Sequence, residues 1–369
     1  MAVCKYFGTC GGCSLQHIDY ETQIAQKVSE LKKIVGDIPI DVFRSEPFGY
    51  RNRMDFIFTP QGLGFRRKGK WFSIVDIDNC PISNNRINEI LAELRDFFSS
   101  VDYFDIVKQS GTFRYAVVRT ATSGASVSFV LNQDSMKLSE AAEKIEAYAK
   151  QTSVENILIT YVPAKSDVTV SSEYYIVKGS DMLMQEYLGK KFFYFIQGFF
   201  QNNHEGALQL QTYCRTLLEK VSSKETDFLD MYGGVGTFGI INADLFRNVL
   251  TIESVQECID AAKKNISENA ISNATAQVLD AKNVHKVHLQ KNLVVLTDPP
   301  RSGMHPKAIS RLLECEPKAI VYVSCNMKQL AKELPAFSGY EVTAAALCDL
   351  FPQTRHAEAV VLLQPRTHE

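Results

Sequence analysis

Three groups of residues in this 369-residue chain have types and spacing suited to chemistry. The first comprises Cys325, which ends the segment YVSCN (322–326), Asp298 in TDPPRSG (297–303), and Glu358 in DLFPQTRHAEAVVLL (349–363). A cysteine just past an apolar strand is ordinarily a small buried hydrophobe, and only surroundings that favour its thiolate make it a nucleophile. The two prolines after Asp298 restrict the backbone, which suits a carboxylate that must point out of a strand end. The second group is acidic and glycine-rich. LDMYGGVGTFG (229–239) sets Tyr232 and Gly234 in a turn after Asp230, NVLTIES carries Glu253, and ATAQVLD ends in Asp280. The third is Cys4, Cys10 and Cys13, joined by the distant Cys80 in DNCPI. Four thiolates can hold an iron–sulfur cubane or a structural zinc, and spacing alone leaves the two even.

These residues need elements to hold them. From about Lys190 the chain alternates strand-like runs with helical patterns, as in ETDFLDMYGG, NVLTIES, ATAQVLD, LVVLTDPP and AIVYVSCN. Such alternation predicts βαβ units and a parallel sheet covered by helices, an α/β fold of Rossmann-like kind. Ligands of such sheets bind outside the C-terminal ends of the strands, where every residue of the second group falls. Glycines there let a ligand approach the backbone. Glu253 can accept hydrogen bonds from ribose hydroxyls, and Asp280 can read an adenine amino group. The turn contains no lysine or arginine, so it does not anticipate a pyrophosphate. A nucleoside with a positive centre, S-adenosylmethionine, fits better. Amino-group methyltransferases usually carry an aromatic after such a Pro-Pro, so Arg301 argues against methylation of an exocyclic nitrogen.

The rest of the chain divides in two. Residues 1–40 hold the cysteine segment and a helix over Tyr20–Val35, with Ile24, Val28, Leu31 and Ile34 at helical spacing. Residues 41–187 are strand-rich, with two hairpins and a helix around Ser139–Lys150, an α+β region; residues 188–369 form the catalytic domain. The helix near residues 20–35 is expected to pack with the C-terminal domain, which makes the middle region an insertion.

With 45% hydrophobic and 22% charged residues the chain reads as ordinary globular protein. It lacks an apolar run long enough for a membrane span and a signal-peptide pattern, so a cytoplasmic protein, with no membrane partner, is expected. Nine cysteines in a reducing compartment point to metal or catalysis rather than disulfides. The net charge of −2 gives no global field for nucleic acid, but Arg66, Arg67, Lys68 and Lys70 crowd one hairpin beside Trp71.

FFQNN (199–203), LDMYGGVGTFG, DPPRSG, YVSCN and DLFPQTRHAEAVVLL occur in an order that strongly resembles the RNA 5-methyluridine methyltransferases, and CKYFGTCGGCSLQH resembles their iron–sulfur branch. The resemblance implies a class I S-adenosylmethionine-dependent methyltransferase domain. It implies that Cys325 adds to carbon 6 of uracil, that carbon 5 takes the methyl group, and that Glu358 removes the carbon-5 proton. Gln201 and Asp298 would contact the base or the cofactor near the transferred methyl, while Tyr232, Gly234, Glu253 and Asp280 line the cofactor. Cys4, Cys10, Cys13 and Cys80 would hold a [4Fe–4S] cluster, with zinc as the lesser alternative, in a structural role. Two positions depart from the family's pattern. Gly233 stands where many members carry cysteine, and Gln353 where histidine is common, which leaves His356 as the nearby imidazole.

A uracil buried in a stack cannot reach Cys325, so a loop or an extruded base is the expected target. The middle region, with Arg66–Lys70, Phe65, Trp71 and Phe72, is the candidate RNA platform. The resemblance is to large-subunit (23S) ribosomal RNA enzymes without an extra N-terminal barrel, with the transfer-RNA T-loop uridine (uridine-54) as the alternative. A cytosine-5 methyltransferase would place its cysteine after the fourth strand, where Asp298-Pro-Pro stands instead. A non-catalytic iron–sulfur RNA-binding or ribosome assembly factor is the rival of another class. A monomer is expected.

Overall fold

The computed structural model of the chain describes residues 3–287 and 292–366. The chain begins with α1 (Tyr20–Val35), β1 (Ile40–Phe43), β2 (Arg53–Thr59), β3 (Gly62–Arg67), β4 (Lys70–Asp76) and α2 (Asn85–Phe97). It continues through β5 (Phe113–Ala121), β6 (Gly124–Asn132), α3 (Leu138–Gln151), β7 (Asn156–Val162), β8 (Tyr174–Lys178), β9 (Met182–Tyr187) and β10 (Lys190–Phe195). Next come α4 (His204–Val221), β11 (Asp227–Met231), α5 (Thr237–Ile241), β12 (Asn248–Glu253), α6 (Gln256–Glu268) and β13 (Ala274–Val278). The last elements are β14 (Leu293–Thr297), α7 (Pro306–Leu313), β15 (Ala319–Ser324), α8 (Met327–Glu333), β16 (Tyr340–Cys348) and β17 (Glu358–Pro365).

Two compact units emerge. One gathers Met1–Asp19, Glu46–Gln185 and Tyr194–His204; the other gathers Tyr20–Ser45, Glu186–Phe193 and Glu205–Glu369. The first unit is built on a seven-stranded sheet of order β4-β3-β2-β5-β6-β7-β8, antiparallel except for the β6–β7 pair. Alternation along β2 sends Met54, Phe56 and Phe58 to one face, where α2 contributes Ile87, Ile90, Leu91 and Leu94 and α3 contributes Ala141, Ile145 and Tyr148. The Asn84 side chain caps α2 by accepting from the Ile87 N–H.

The second unit holds an eight-stranded sheet of order β1-β16-β17-β15-β14-β11-β12-β13. Its strands are parallel except where β17 runs antiparallel to both β15 and β16. Strands such as β14 and β15 are buried on both faces, with Ile320 and Tyr322 in one apolar layer and Ala319, Val321 and Val323 in the other. That is why they read as continuous apolar runs. The sheet reverses direction of growth at β11, between β12 and β14, and Tyr232, Gly234, Glu253 and Asp298 follow or end the strands at that switch point.

Helix α1 belongs to the second unit and braces the loop that leads into β17. Lys27 Nζ meets Asp349 Oδ1 at 2.7 Å, with the two side chains 4% and 0% exposed. Burial pulls the Lys27 ammonium down and pushes the Asp349 carboxyl up, and each charge is held against burial by the other, with the Tyr20 side chain and the Phe351 backbone also favouring the Asp349 carboxylate. One turn away, Gln23 Nε2 donates to Gln353 Oε1 and the Gln353 N–H donates to Gln23 Oε1, both at 3.0 Å. Removing one partner of a buried pair leaves an uncompensated charge. Lys27→Ala is therefore expected to lower the unfolding free energy by about 3–5 kcal/mol. The double variant Lys27→Met/Asp349→Leu should recover most of that loss in denaturant titrations.

Candidate active site

The register of two strands sets the central pair. The last pair between β15 and β17 is Ser324 with Ala359, so Cys325, just past β15, and Glu358, the first residue of β17, adjoin the same end of the sheet. They are near enough for the Glu358 charge to raise the Cys325 thiol. The parallel register of β14 with β15 pairs Thr297 with Tyr322 and brings Asp298 alongside the same strand ends. Asp298 is anchored by its own N–H, which donates to the Met231 carbonyl at 3.3 Å.

The electrostatics follow from this crowding of acids in a dry place. Burial, with Asp298 adding, pushes the Glu358 carboxyl up to about 8. Burial pushes Asp298 up to about 7, although part of its surface stays open. The Cys325 thiol rises to about 11 through burial and the charges of Glu358 and Asp298, while Arg301 draws it down. Arg301 Nη2 lies 3.2 Å from His356 Nδ1, and Asn326 Nδ2 donates to the Arg301 carbonyl at 3.0 Å. A guanidinium can only donate, so His356 accepts at Nδ1. Burial, Arg301 and Lys27 all lower its pKa, so it stays neutral.

Glu358 has a folded pKa above its unfolded value of about 4.5, so its contribution to stability is complete below that value and is lost as pH rises to about 8. Glu358→Gln does not titrate. Its unfolding free energy relative to the parent should therefore rise across pH 5 to 8, by at most about 1.4 kcal/mol per pH unit. Paired denaturant titrations at each pH would check this.

The turn after β11 is shaped for close approach. Tyr232, Gly234 and Gly236 take φ of 58°, 53° and 85°, three left-handed residues in five. A Cβ on Gly234 would meet no atom within 4 Å, so open space lies over the backbone there. Gly233 is different. A Cβ there would stand 2.4 Å from Thr251 Cγ2 and 2.7 Å from Asp230 Oδ2, so the turn is packed around the missing side chain and a cysteine would force a shift. Asp230 is turned inward as a brace. Its Oδ2 accepts from the Gly239 N–H at 3.0 Å and from Thr251 Oγ1 at 3.3 Å, and burial pushes it to about 7.

The other expected cofactor residues are partly occupied by local bonds. Glu253 Oε1 accepts from the Ser254 N–H and hydroxyl and from the Val255 N–H, which ties the carboxylate to the start of α6. Asp280 accepts from the Lys282 N–H and pairs with Lys282 Nζ, each at 2.9 Å, and these bonds hold it below the usual carboxylate range. Tyr232 takes a hydrogen bond from the His305 backbone and is pushed up to about 12 by burial. Gln201 lies in the first unit. The open backbone at Gly234 and the acids at the ends of β12, β13 and β14 together fit a cationic nucleoside.

Glu333 was missed by sequence reasoning. Its Oε2 accepts from the Tyr322 hydroxyl at 2.5 Å and from the Met304 N–H at 3.3 Å, tying the loop after Asp298 to the strand before Cys325. The available signal was an acid in line with Met327 and Leu330 on the apolar stripe of α8.

The cysteine segment gives a mixed result. Burial and the charges of Cys80, Cys10 and Cys4 push the Cys13 thiol to about 11, so the four thiols lie within each other's fields. Among the described residues, however, no three His, Cys, Asp or Glu side chains lie close enough together to hold a metal ion. The [4Fe–4S] and zinc expectations thus have the donors without a closed ligand set. No described helix is long and apolar enough to cross a membrane.

A family model described as tRNA (uracil-5-)-methyltransferase matches residues 19–366. The chain belongs to this family. It is 33% identical over 365 residues to the tRNA (uracil(54)-C(5))-methyltransferase of Pyrococcus furiosus, covering 97% of this chain and 84% of that one. An uncharacterized RNA methyltransferase of Caldanaerobacter subterraneus subsp. tengcongensis is 32% identical over 380 residues, with 98% and 84% covered. The crystal structure of Pyrococcus abyssi tRNA (uracil-54, C5)-methyltransferase in complex with S-adenosyl-L-homocysteine superposes with a TM-score of 0.81 at 30% identity, over 96% of this chain and 86% of that one. The enzyme is an S-adenosylmethionine-dependent RNA uracil-C5 methyltransferase with a mixed α/β fold. The assembly-factor alternative gives way to catalysis. The match begins after Cys4, Cys10 and Cys13, so it does not bear on the iron–sulfur branch.

Proposed function

We propose that this enzyme methylates the T-loop uridine of transfer RNA, position 54, through a covalent adduct on Cys325. The sequence favoured large-subunit ribosomal RNA, a preference that rested on the cysteine segment. Two relatives of this identity and coverage, one of them a solved structure, are named for uracil 54 of transfer RNA, and this supports the change. The observation that carries the mechanism is the end of the β15–β17 register, beyond which Cys325 lies within the field of Glu358.

The cofactor, when bound, supplies an electrophilic methyl group; Tyr232, Gly234, Glu253 and Asp298 would hold it, with Asp280 once freed from Lys282. The Cys325 thiol gives its proton to Asp298, whose pKa of about 7 suits a group that must both take and return one. The sulfur bonds to carbon 6 of uracil, and the electron pair displaced onto carbon 5 and the carbonyl at carbon 4 makes carbon 5 nucleophilic. After carbon 5 has gained the methyl, Glu358 takes its proton. The carbon-6–sulfur bond then breaks, the double bond reforms, and the sulfur reclaims its proton. Gln201 is assigned to the base by resemblance. Arg301 stabilises the thiolate, and His356 fixes the Arg301 guanidinium.

Cys4, Cys10, Cys13 and Cys80 would hold a [4Fe–4S] cluster as a structural cross-link, a reading that rests on the count of the thiols and on the resemblance of the cysteine segment. Iron and sulfide analysis of protein purified without oxygen separates this from zinc.

The substrate is tested with methyl-labelled S-adenosylmethionine and separate ribosomal and transfer RNA lacking 5-methyluridine, followed by digestion to nucleosides. Label in 5-methyluridine from transfer RNA alone is the expected result. Label from ribosomal RNA alone would return the substrate to the large subunit.

A further inference from the structure

The tip of the β3–β4 hairpin carries a surface that the chemistry at Cys325 does not use. Trp71 is 61% exposed and Phe72 52%, with their rings perpendicular at 5.9 Å. No acidic residue occurs between Phe56 and Val75, whereas Arg66, Arg67, Lys68 and Lys70 all fall there. Not every residue of this stretch faces solvent. Phe65 stacks on Phe56 at 5.2 Å and packs against the core of the first unit. Arg66 is held in an ion pair with Asp167 at 2.8 Å and a hydrogen bond to the Tyr115 hydroxyl at 3.1 Å. The platform expected from sequence therefore shrinks to Trp71, Phe72, Arg67, Lys68 and Lys70.

The tip is also braced. Arg66 Nη1 donates to the Trp71 carbonyl at 2.5 Å across a register shift between Arg66 and Arg67. On the other side the cysteine segment pairs with the tip as a short extra strand. The Gly11 N–H donates to the Arg66 carbonyl at 3.0 Å, the Lys68 N–H donates to the Thr9 carbonyl at 2.8 Å, and Cys10 bridges Arg67. Two adjacent exposed rings on a braced cationic tip mark a binding surface, since exposed apolar residues are ordinarily scattered singly.

We propose that this tip binds unpaired nucleotides of the RNA substrate. Trp71 and Phe72 stack on bases, and Arg67, Lys68 and Lys70 meet phosphates. The proposal rests on RNA being the substrate. The cations select the partner: a wholly apolar protein surface would desolvate three of them without a counter-charge, while single-stranded RNA offers a π-face and a phosphate at every nucleotide.

Trp71 is the sole tryptophan of the chain, so intrinsic emission reports on this tip alone. The full chain is titrated with an unmodified transfer-RNA T-arm stem-loop. Emission should be quenched in step with binding. Trp71→Ala should weaken RNA binding about five- to hundredfold, and Trp71→Phe by no more than about threefold. Both variants should keep the parent affinity for S-adenosylhomocysteine. RNA that binds and is methylated with unaltered emission, and with Trp71→Ala as tight as the parent, overturns the proposal and leaves the enzyme reading standing. Equal quenching by a fully paired duplex overturns the preference for unpaired nucleotides. Quenching by the stem-loop without methylation upholds the tip and sinks the T-loop substrate instead.

Discussion

Cys325→Ala is expected to lower methyl transfer to RNA by at least about 10⁴-fold while leaving folding and cofactor affinity unchanged. Carbon 5 of uracil is a poor nucleophile, and every later step depends on the sulfur that activates it. The substitution is structurally mild. The side chain lies just beyond β15, is half-buried, and its thiol is protonated at rest because burial and two acids push it to about 11. Alanine therefore removes a reactive atom and little packing. Cys325→Ser should fare no better, since an alcohol beside the same acids is a far weaker nucleophile than a thiolate. Single-turnover methylation, read beside S-adenosylhomocysteine binding, separates loss of chemistry from loss of the site. Activity within tenfold of the parent would reject the covalent route.

The parts of this enzyme that were legible in sequence are those set by local pattern. The helix Tyr20–Val35 follows its apolar spacing, and Ala319–Val323 announces β15 through β-branched and aromatic residues. Strand ends were equally visible, which is why Asp298, Glu253 and Asp280 could be set on one edge of a sheet before the fold was known. What pattern cannot carry is pairing. That Glu358 comes to the same sheet end as Cys325 depends on β17 running antiparallel into a parallel sheet, a long-range register with no local signal. Local competition was also invisible. Lys282, two residues after Asp280, closes an ion pair that composition does not reveal, and Phe65 looks like a surface aromatic until Phe56 is seen beneath it. Polar residues on a helix give no local sign of burial either. Lys27 and Gln23 of α1 are both buried against the loop that delivers Glu358.

Glu358→Gln should stall the reaction after methyl transfer and leave the enzyme covalently joined to its RNA. The variant keeps the shape of the side chain and removes the base. Nothing in the first two bonds requires that base, because the thiol proton is assigned to Asp298. Loss of the Glu358 charge in fact eases formation of the thiolate, since that charge is one of those that raise Cys325. The step that fails is removal of the carbon-5 proton, and without it the carbon-6–sulfur bond cannot break. Turnover should fall about 10²- to 10⁴-fold, the usual worth of a positioned base. A denaturing gel should show a protein–RNA band carrying the transferred methyl label. The band must vanish in Cys325→Ala/Glu358→Gln, which lacks the atom that forms the bond. The parent adds a pH signature. Glu358 must shed its proton before it can act, so multiple-turnover rates should climb as pH rises towards about 8. Adduct formation by the variant should lack that limb. A variant that loses turnover and accumulates no adduct would move the base to another residue, with Asp298, the second carboxyl beside the thiol, the next to test.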